Sequence, residues 1–143
     1  MVFVRDEGSV IDAPLDVVWE FVGSGDAHSE AHRHRAWRRE RGEGNSGTYS
    51  WEQEFAGGVA RFTMHWVSYH PLGVAYDVLE GPFTGSRFFL YYTPLGARTG
   101  VSVVGEFLSP SIPAVRLESE VLRFFAVEFN QDHAAIVERV AAK

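Results

Sequence analysis

The chain has 143 residues, a formal net charge of −6 and no cysteine, with 45% hydrophobic and 22% charged residues. This balance suits one globular domain with a sizeable core and excludes global disorder, while the missing thiols exclude disulfides, zinc–thiolate sites, iron–sulfur clusters and thiol nucleophiles. The negative charge argues against a general phosphate-binding surface, and no apolar run is long enough to span a bilayer.

The first residues, Met1-Val2-Phe3-Val4-Arg5-Asp6, lack the basic-then-apolar order of a secretion signal, so a cytoplasmic location is the expectation. A first strand is expected before Asp12-Ala13-Pro14. That tripeptide reads as a helix start, with Asp12 or Ala13 at the cap and Pro14 in the first turn. Val17, Val18, Phe21 and Val22 recur at helical spacing until Gly23 and Gly25 end the helix. Next comes a basic run, Arg33, Arg35, Arg38, Arg39 and Arg41, interrupted by Trp37. It superficially suggests nucleic acid. An edge strand carrying charge against edge-to-edge pairing is the preferred reading, because Glu40, Glu43, Glu52 and Glu54 lie near enough in sequence to pair with it. An anionic ligand is a third option.

Turn signals then arrive at regular intervals: Gly44-Asn45-Ser46-Gly47, Gly57-Gly58, Pro71-Leu72-Gly73, Gly81-Pro82 and Pro94-Leu95-Gly96. Between them, Tyr49, Trp51, Gln53 and Phe55 share one strand face and Ser50, Glu52 and Glu54 the other. Phe62, Met64 and Trp66 oppose Arg61, Thr63 and His65; Val101, Val103 and Phe107 oppose Ser102 and Glu106. Residues 74–79 and 88–92 read as further strands, the latter with no distinguishable inner face. One apolar and one polar face per strand describes an antiparallel sheet covered on one side. From about 112 to 142 no glycine or proline follows Pro113, and Val121, Phe125, Phe129, Ile136 and Val140 form an apolar stripe. The expected architecture is one α+β domain over residues 1–143. It has a curved antiparallel sheet of about seven strands around a long C-terminal helix, with one or two short helices after the first strand.

The run Val10-Ile11-Asp12-Ala13-Pro14-Leu15-Asp16-Val17-Val18-Trp19-Glu20-Phe21-Val22 resembles the N-terminal signature of the helix-grip, or START-like, superfamily. Residues 96–103, with Thr99 before a β-run, are similar to its penultimate hairpin, and residues 125–138 to its closing helix. The superfamily includes lipid-transfer domains, polyketide cyclases/aromatases, birch-pollen-type allergens and ring-hydroxylase catalytic domains. The resemblance implies a cavity between sheet and long helix. Its lining would be Tyr49, Trp51, Gln53, Phe55, Phe62, Met64 and Trp66, with Val101, Val103 and Phe107 from the far strand and Val121, Phe125 and Phe129 from the helix. The same residues could instead fill a solid core. The aromatic content of 14% fits either arrangement. The partner implied is a small, largely hydrophobic molecule, such as a lipid, polyketide, aromatic or isoprenoid-like compound, and neither nucleic acid nor an integral membrane. A cyclase/dehydratase-type enzyme using the same cavity is the alternative. By position, Tyr76, Glu80, Tyr92 and Glu128 are its acid–base candidates. No nucleophile elbow, phosphate loop or dinucleotide fingerprint is present.

Three of the six histidines fall at 28, 32 and 34. His28 and His32 are four apart, which places two imidazoles on one helix face. On the closing helix Glu128 and Asp132 are also four apart. Two histidines and one carboxylate are a ligand set for a single divalent metal. The resemblance to ring-hydroxylase catalytic domains implies the same trio, His28, His32 and Asp132. The departures are a histidine spacing one residue shorter and a preceding acidic pattern present only as Asp26. Without cysteine a Rieske cluster is excluded. The alternative is a polar pocket mouth in which His28 and His32 bond their neighbours.

Overall fold

Pro14 has no amide hydrogen to leave unbonded, and its carbonyl receives the Val17 and Val18 N–H groups, so the first helix starts immediately after it. Pro14 itself is thus the cap residue, one place later than the sequence suggests. The computed structural model describes residues 1–142, apart from the side chains of Glu7, Asp26, Glu40 and Arg41. In chain order they form β1 (Val2–Ile11), α1 (Leu15–Gly23), α2 (Gly25–Ala31), β2 (Arg35–Glu43), β3 (Ser46–Phe55), β4 (Gly58–Tyr69), β5 (Gly73–Glu80), β6 (Arg87–Leu95), β7 (Arg98–Phe107) and α3 (Ala114–Ala141). The seven strands make one antiparallel sheet in the order β1-β7-β6-β5-β4-β3-β2. This is the helix-grip α+β architecture, with the first strand returning beside the last.

Register follows from the turns. Ala56 and Gly57 both have positive φ, 51° and 80°, and close the β3–β4 hairpin with Phe55 opposite Gly58. Two left-handed residues are what the twist of a tight hairpin requires. The register sends Trp51, Phe62 and Met64 to the concave face, where each is buried. In β6 the ambiguity resolves by alternation. Phe88 and Tyr92 are buried on the concave face with Leu90 half-buried between them, while Phe89 and Tyr91 lie outside with ring centroids 4.4 Å apart. The outer face is therefore not uniformly polar.

The concave face is divided into a solid end and a hollow end. At the solid end α3 packs on β1 and β7. Gly81, at φ 122°, turns the β5–β6 connection so that Phe83 is buried among Phe55, Phe107 and Phe124, with ring centroids 5.5–6.2 Å away. Phe62, Val103, Phe107 and Val121 are closed off completely here. Thr99 ties this end to α1: its hydroxyl, wholly buried, donates to the Ala13 carbonyl at 2.8 Å. Thr99→Val keeps the shape and strands that carbonyl, so the variant is expected to lose about 1–3 kcal/mol of unfolding free energy in urea titrations. A loss under half of that would show that water replaces the hydroxyl. Among the described residues no helix is long and apolar enough to cross a membrane.

Candidate functional site

The hollow end is a cavity of about 640 Å³ bounded by α1, α2 and α3 on one side and by β2 to β6 on the other. Trp19 on α1 braces its rim, donating its indole N–H to the Pro71 carbonyl at 3.1 Å and packing edge-on against His70 and Tyr92. Six of the thirteen residues expected to line a cavity do face it: Tyr49, Trp51, Met64, Trp66, Phe125 and Phe129. The others lie elsewhere. Phe55, Phe62, Val101, Val103, Phe107 and Val121 belong to the packed core, because α3 closes directly over β7 and the Phe83 loop fills the neighbouring space. Gln53 does not reach the lining; its side-chain oxygen accepts the Trp51 indole N–H at 2.7 Å. Sequence reasoning missed Val74, Phe88 and Leu90 as wall residues; Tyr76 and Tyr92, expected only as acid–base candidates, line the wall with them. Their period-2 spacing was the available signal, but in an all-apolar run it does not say which set points inward.

One wall of this cavity is polar. Seven residues of α2 suffice to put His28 and His32 on one face, and they meet Glu128 and Asp132 on α3. Asp132 Oδ1 lies 3.0 Å from His28 Nε2 and 2.9 Å from His32 Nε2, and the two Nε2 atoms are 3.0 Å apart. Asp132 Oδ1 nonetheless makes no aligned hydrogen bond. The other nitrogen of His32, Nδ1, lies 2.8 Å from Glu128 Oε2 and 2.8 Å from Gln131 Oε1. Burial opposes charge on His32, but Glu128 and Asp132 override it and hold the imidazole well above its ordinary pKa. Burial likewise opposes charge on Asp132, but His28 and His32 override it and hold the carboxyl well below the usual range.

Arg33, in the left-handed region at φ 55°, ends α2 and folds the chain so that His34 turns back into the cavity. Its ring stacks on Trp51 at 4.6 Å and on His32 at 5.3 Å. Burial, with the neighbouring His32 and His28, pushes His34 down to about 3, so it is neutral at physiological pH. Gln53 lies near enough to oppose that shift, but neither ring nitrogen of His34 has an aligned hydrogen-bond partner among the described residues. The same holds for the buried Trp66 Nε1. Burial pushes the Tyr76 and Tyr92 phenols up, reinforced by nearby Tyr49, Tyr76 and Asp132. Unpartnered buried polar groups are rare and costly, and these line one space.

The remaining candidates fall outside this wall. Glu80 is on the outer face, exposed and paired with Arg61 at 3.0 Å and Thr63 at 3.0 Å, so it cannot serve as an acid or base in the cavity. Tyr76, Tyr92 and Glu128 all line it. His65 is on the outer face opposite Asp77, and His133 pairs with Asp12 at 3.3 Å. Apart from Arg33, which ends α2, the arginine run lies on β2, the edge strand of the sheet, with Arg35 opposite Glu52. The expected pairing of Glu40 and Arg41 lies outside the described side chains. Among the described residues of that run Arg39 alone reaches the cavity, where it lies over the Tyr49 ring at 5.5 Å.

No family model matches the sequence, and no curated protein does. Solved structures match over almost the full chain. TTHA0849 from Thermus thermophilus is 19% identical, covering 99% of this chain and 98% of that one, with a TM-score of 0.75. The Zhui aromatase/cyclase from Streptomyces sp. R1128 is 16% identical over 96% of this chain and 92% of that one, with a TM-score of 0.75. Ara h 8.0201 is 10% identical over 96% and 98%, also at 0.75. At these identities the likeness establishes the fold.

Proposed function

We propose that this helix-grip domain binds one small, largely apolar molecule in the cavity between α3 and the sheet. The observation that carries this reading is the 640 Å³ space itself. Pockets for small molecules occupy roughly 300–1,000 Å³ and are lined mainly by apolar and aromatic side chains with a few convergent polar groups. Trp51, Trp66, Phe88 and Phe129 supply such walls and the α2–α3 histidine–carboxylate cluster the polar groups. The neutral fluorophore N-phenyl-1-naphthylamine is expected to bind with a stoichiometry of one. Leu90 is half-buried on the wall, so Leu90→Trp fills the space and is expected to weaken the fluorophore at least tenfold while the circular dichroism spectrum is kept. Unchanged binding in a folded Leu90→Trp chain would place the fluorophore elsewhere and count against the cavity.

A second reading is favoured by the triangle of donor atoms. Metal–ligand bonds of about 2.1 Å at right angles place neighbouring donors about 3.0 Å apart, whereas tetrahedral bonds of that length place them about 3.4 Å apart. The three separations of 2.9–3.0 Å match one face of an octahedron. Two further features fit a cation. Asp132 Oδ1 is buried without an aligned bond. Glu128, by accepting from His32 Nδ1, directs the lone pair of Nε2 toward the other two donors. In this reading His28, His32 and Asp132 hold a divalent cation, which would polarise an oxygen presented to it from the cavity.

A further inference from the structure

Resting on both parts of that reading, we infer that the cavity takes a planar aromatic compound with adjacent oxygen donors, a catechol or ortho-hydroxycarbonyl, that chelates the cation at the His28/His32/Asp132 face. Three donors on one octahedral face leave the opposite positions free, and all three residues line the cavity. Free cis positions in an apolar chamber suit two oxygens on neighbouring atoms of one molecule.

The unpartnered groups point the same way. His34 Nδ1 and Nε2 and Trp66 Nε1 are buried without partners. An indole N–H can only donate, so an acceptor on the occupant would satisfy Trp66. The Tyr76 and Tyr92 phenols line the same cavity. His34 adjoins the donor triangle, stacking on His32 at 5.3 Å, and oxygens clustered at one end of the occupant would meet both.

The walls are aromatic. His34 stacks on Trp51, Tyr49 on Trp66 and Tyr76 on Phe88, with interplanar angles of 19°, 24° and 20°, and all six rings line the cavity. A wall of this composition favours a ring as occupant, through offset or edge-to-face contacts. Among the described lining residues Arg39 is the one arginine or lysine. It is already engaged with Tyr49, while Asp16 and Glu20 stand at the rim. That charge pattern disfavours a phosphorylated or multiply anionic ligand.

The test compares the cation-stripped and Co²⁺-loaded chains with three probes: 2,3-dihydroxynaphthalene, naphthalene and decanoate. Loading is expected to tighten 2,3-dihydroxynaphthalene at least tenfold and to shift the visible cobalt band on its addition, with naphthalene bound equally by both forms. His34→Phe, which keeps the stack and removes both nitrogens, is expected to weaken 2,3-dihydroxynaphthalene at least fivefold and to leave naphthalene unchanged. Naphthalene binding with a cobalt band unmoved by 2,3-dihydroxynaphthalene would overturn the inference while the cavity reading stands. A band shifted by decanoate, with decanoate the tighter probe, would overturn it in favour of a carboxylate lipid. Failure to retain cobalt would overturn it together with the cation reading, and failure of all three probes to bind would overturn the cavity reading itself.

Discussion

Replacing His32 by alanine is expected to lower Co²⁺ affinity by well over a hundredfold, measured by competition with a chelating dye. His32 is the hub of the cluster: Nε2 faces His28 and Asp132, and Nδ1 faces Glu128 and Gln131. Its loss removes one donor and leaves Glu128 without the imidazole it orients. Glu128→Gln leaves all three donors in place and weakens only the bond that sets the His32 tautomer. Losses of this second kind typically cost 10–100-fold in metal affinity, so the expected order is His32→Ala, then Glu128→Gln, then wild type. Equal affinities in all three chains would mean that cobalt binds elsewhere.

The same cluster predicts how the cation-free chain responds to pH. His32 is packed against Glu128 and Gln131 of α3, Asp132 of α3, His28 of α2 and the His34 ring. Its pKa is raised above the unfolded value of about 6.5, so its contribution to stability is complete below that pH and fades as pH rises through the raised value. Asp132 is depressed below about 3.9, so its contribution is complete above that pH and fades on acidification through the lowered value. His34 works the other way on the acid side: it is held down at about 3, so the unfolded imidazole gains a proton below about pH 6.5 while the folded one does not. The melting temperature of the stripped chain is therefore expected to be highest near about pH 6.5, to fall on the alkaline side with His32 and to fall on acidification with His34. A bound cation replaces the proton and should flatten the alkaline fall. A stripped chain whose melting temperature climbs from pH 6.5 to 8 would contradict the protonated cluster.

The largest loss of stability is expected from Phe107→Ala. Phe107 is completely buried at the solid end, with Phe83, Phe88 and Phe125 around it at ring-centroid distances of 5.6–6.2 Å. Truncating a buried phenylalanine in close packing costs about 3–5 kcal/mol, because the transfer free energy is lost and a void is left. Phe129 is also buried, yet it borders space that is already open. Phe129→Ala enlarges an existing cavity rather than opening a new one, and its cost in urea unfolding is expected to be the smaller of the two. The reverse order would contradict the division into a solid and a hollow end.

Much of this fold was legible in the chain because its local signals agree. Asp12-Ala13-Pro14, the Gly57 turn and the glycine-free stretch after Pro113 each marked a boundary to within a residue or two. Alternation in β3 and β4 also identified which side chains face inward. It could not identify which inward side chains meet empty space, since Phe62 and Met64 carry the same pattern signal and differ only in what lies opposite. That is decided by Phe83, delivered by a loop, and by α3 closing over β7, both long-range events. Residues 88–92, aromatic or aliphatic throughout, had no periodicity from which to assign a face. Helical spacing made His28 and His32 readable as one pair and Glu128 and Asp132 as another; what joined His28, His32 and Asp132 into one set was the resemblance to ring-hydroxylase catalytic domains. His34 was not readable, because its inward turn depends on a left-handed Arg33 that no sequence signal announced.

The most direct test is native mass spectrometry of the chain equilibrated with Co²⁺ and N-phenyl-1-naphthylamine, run beside Asp132→Asn. The wild type is expected to carry one cobalt ion and one fluorophore, and Asp132→Asn one fluorophore without cobalt. A wild-type chain that retains neither, or two chains that retain cobalt alike, would contradict a cavity with a cation held in its wall.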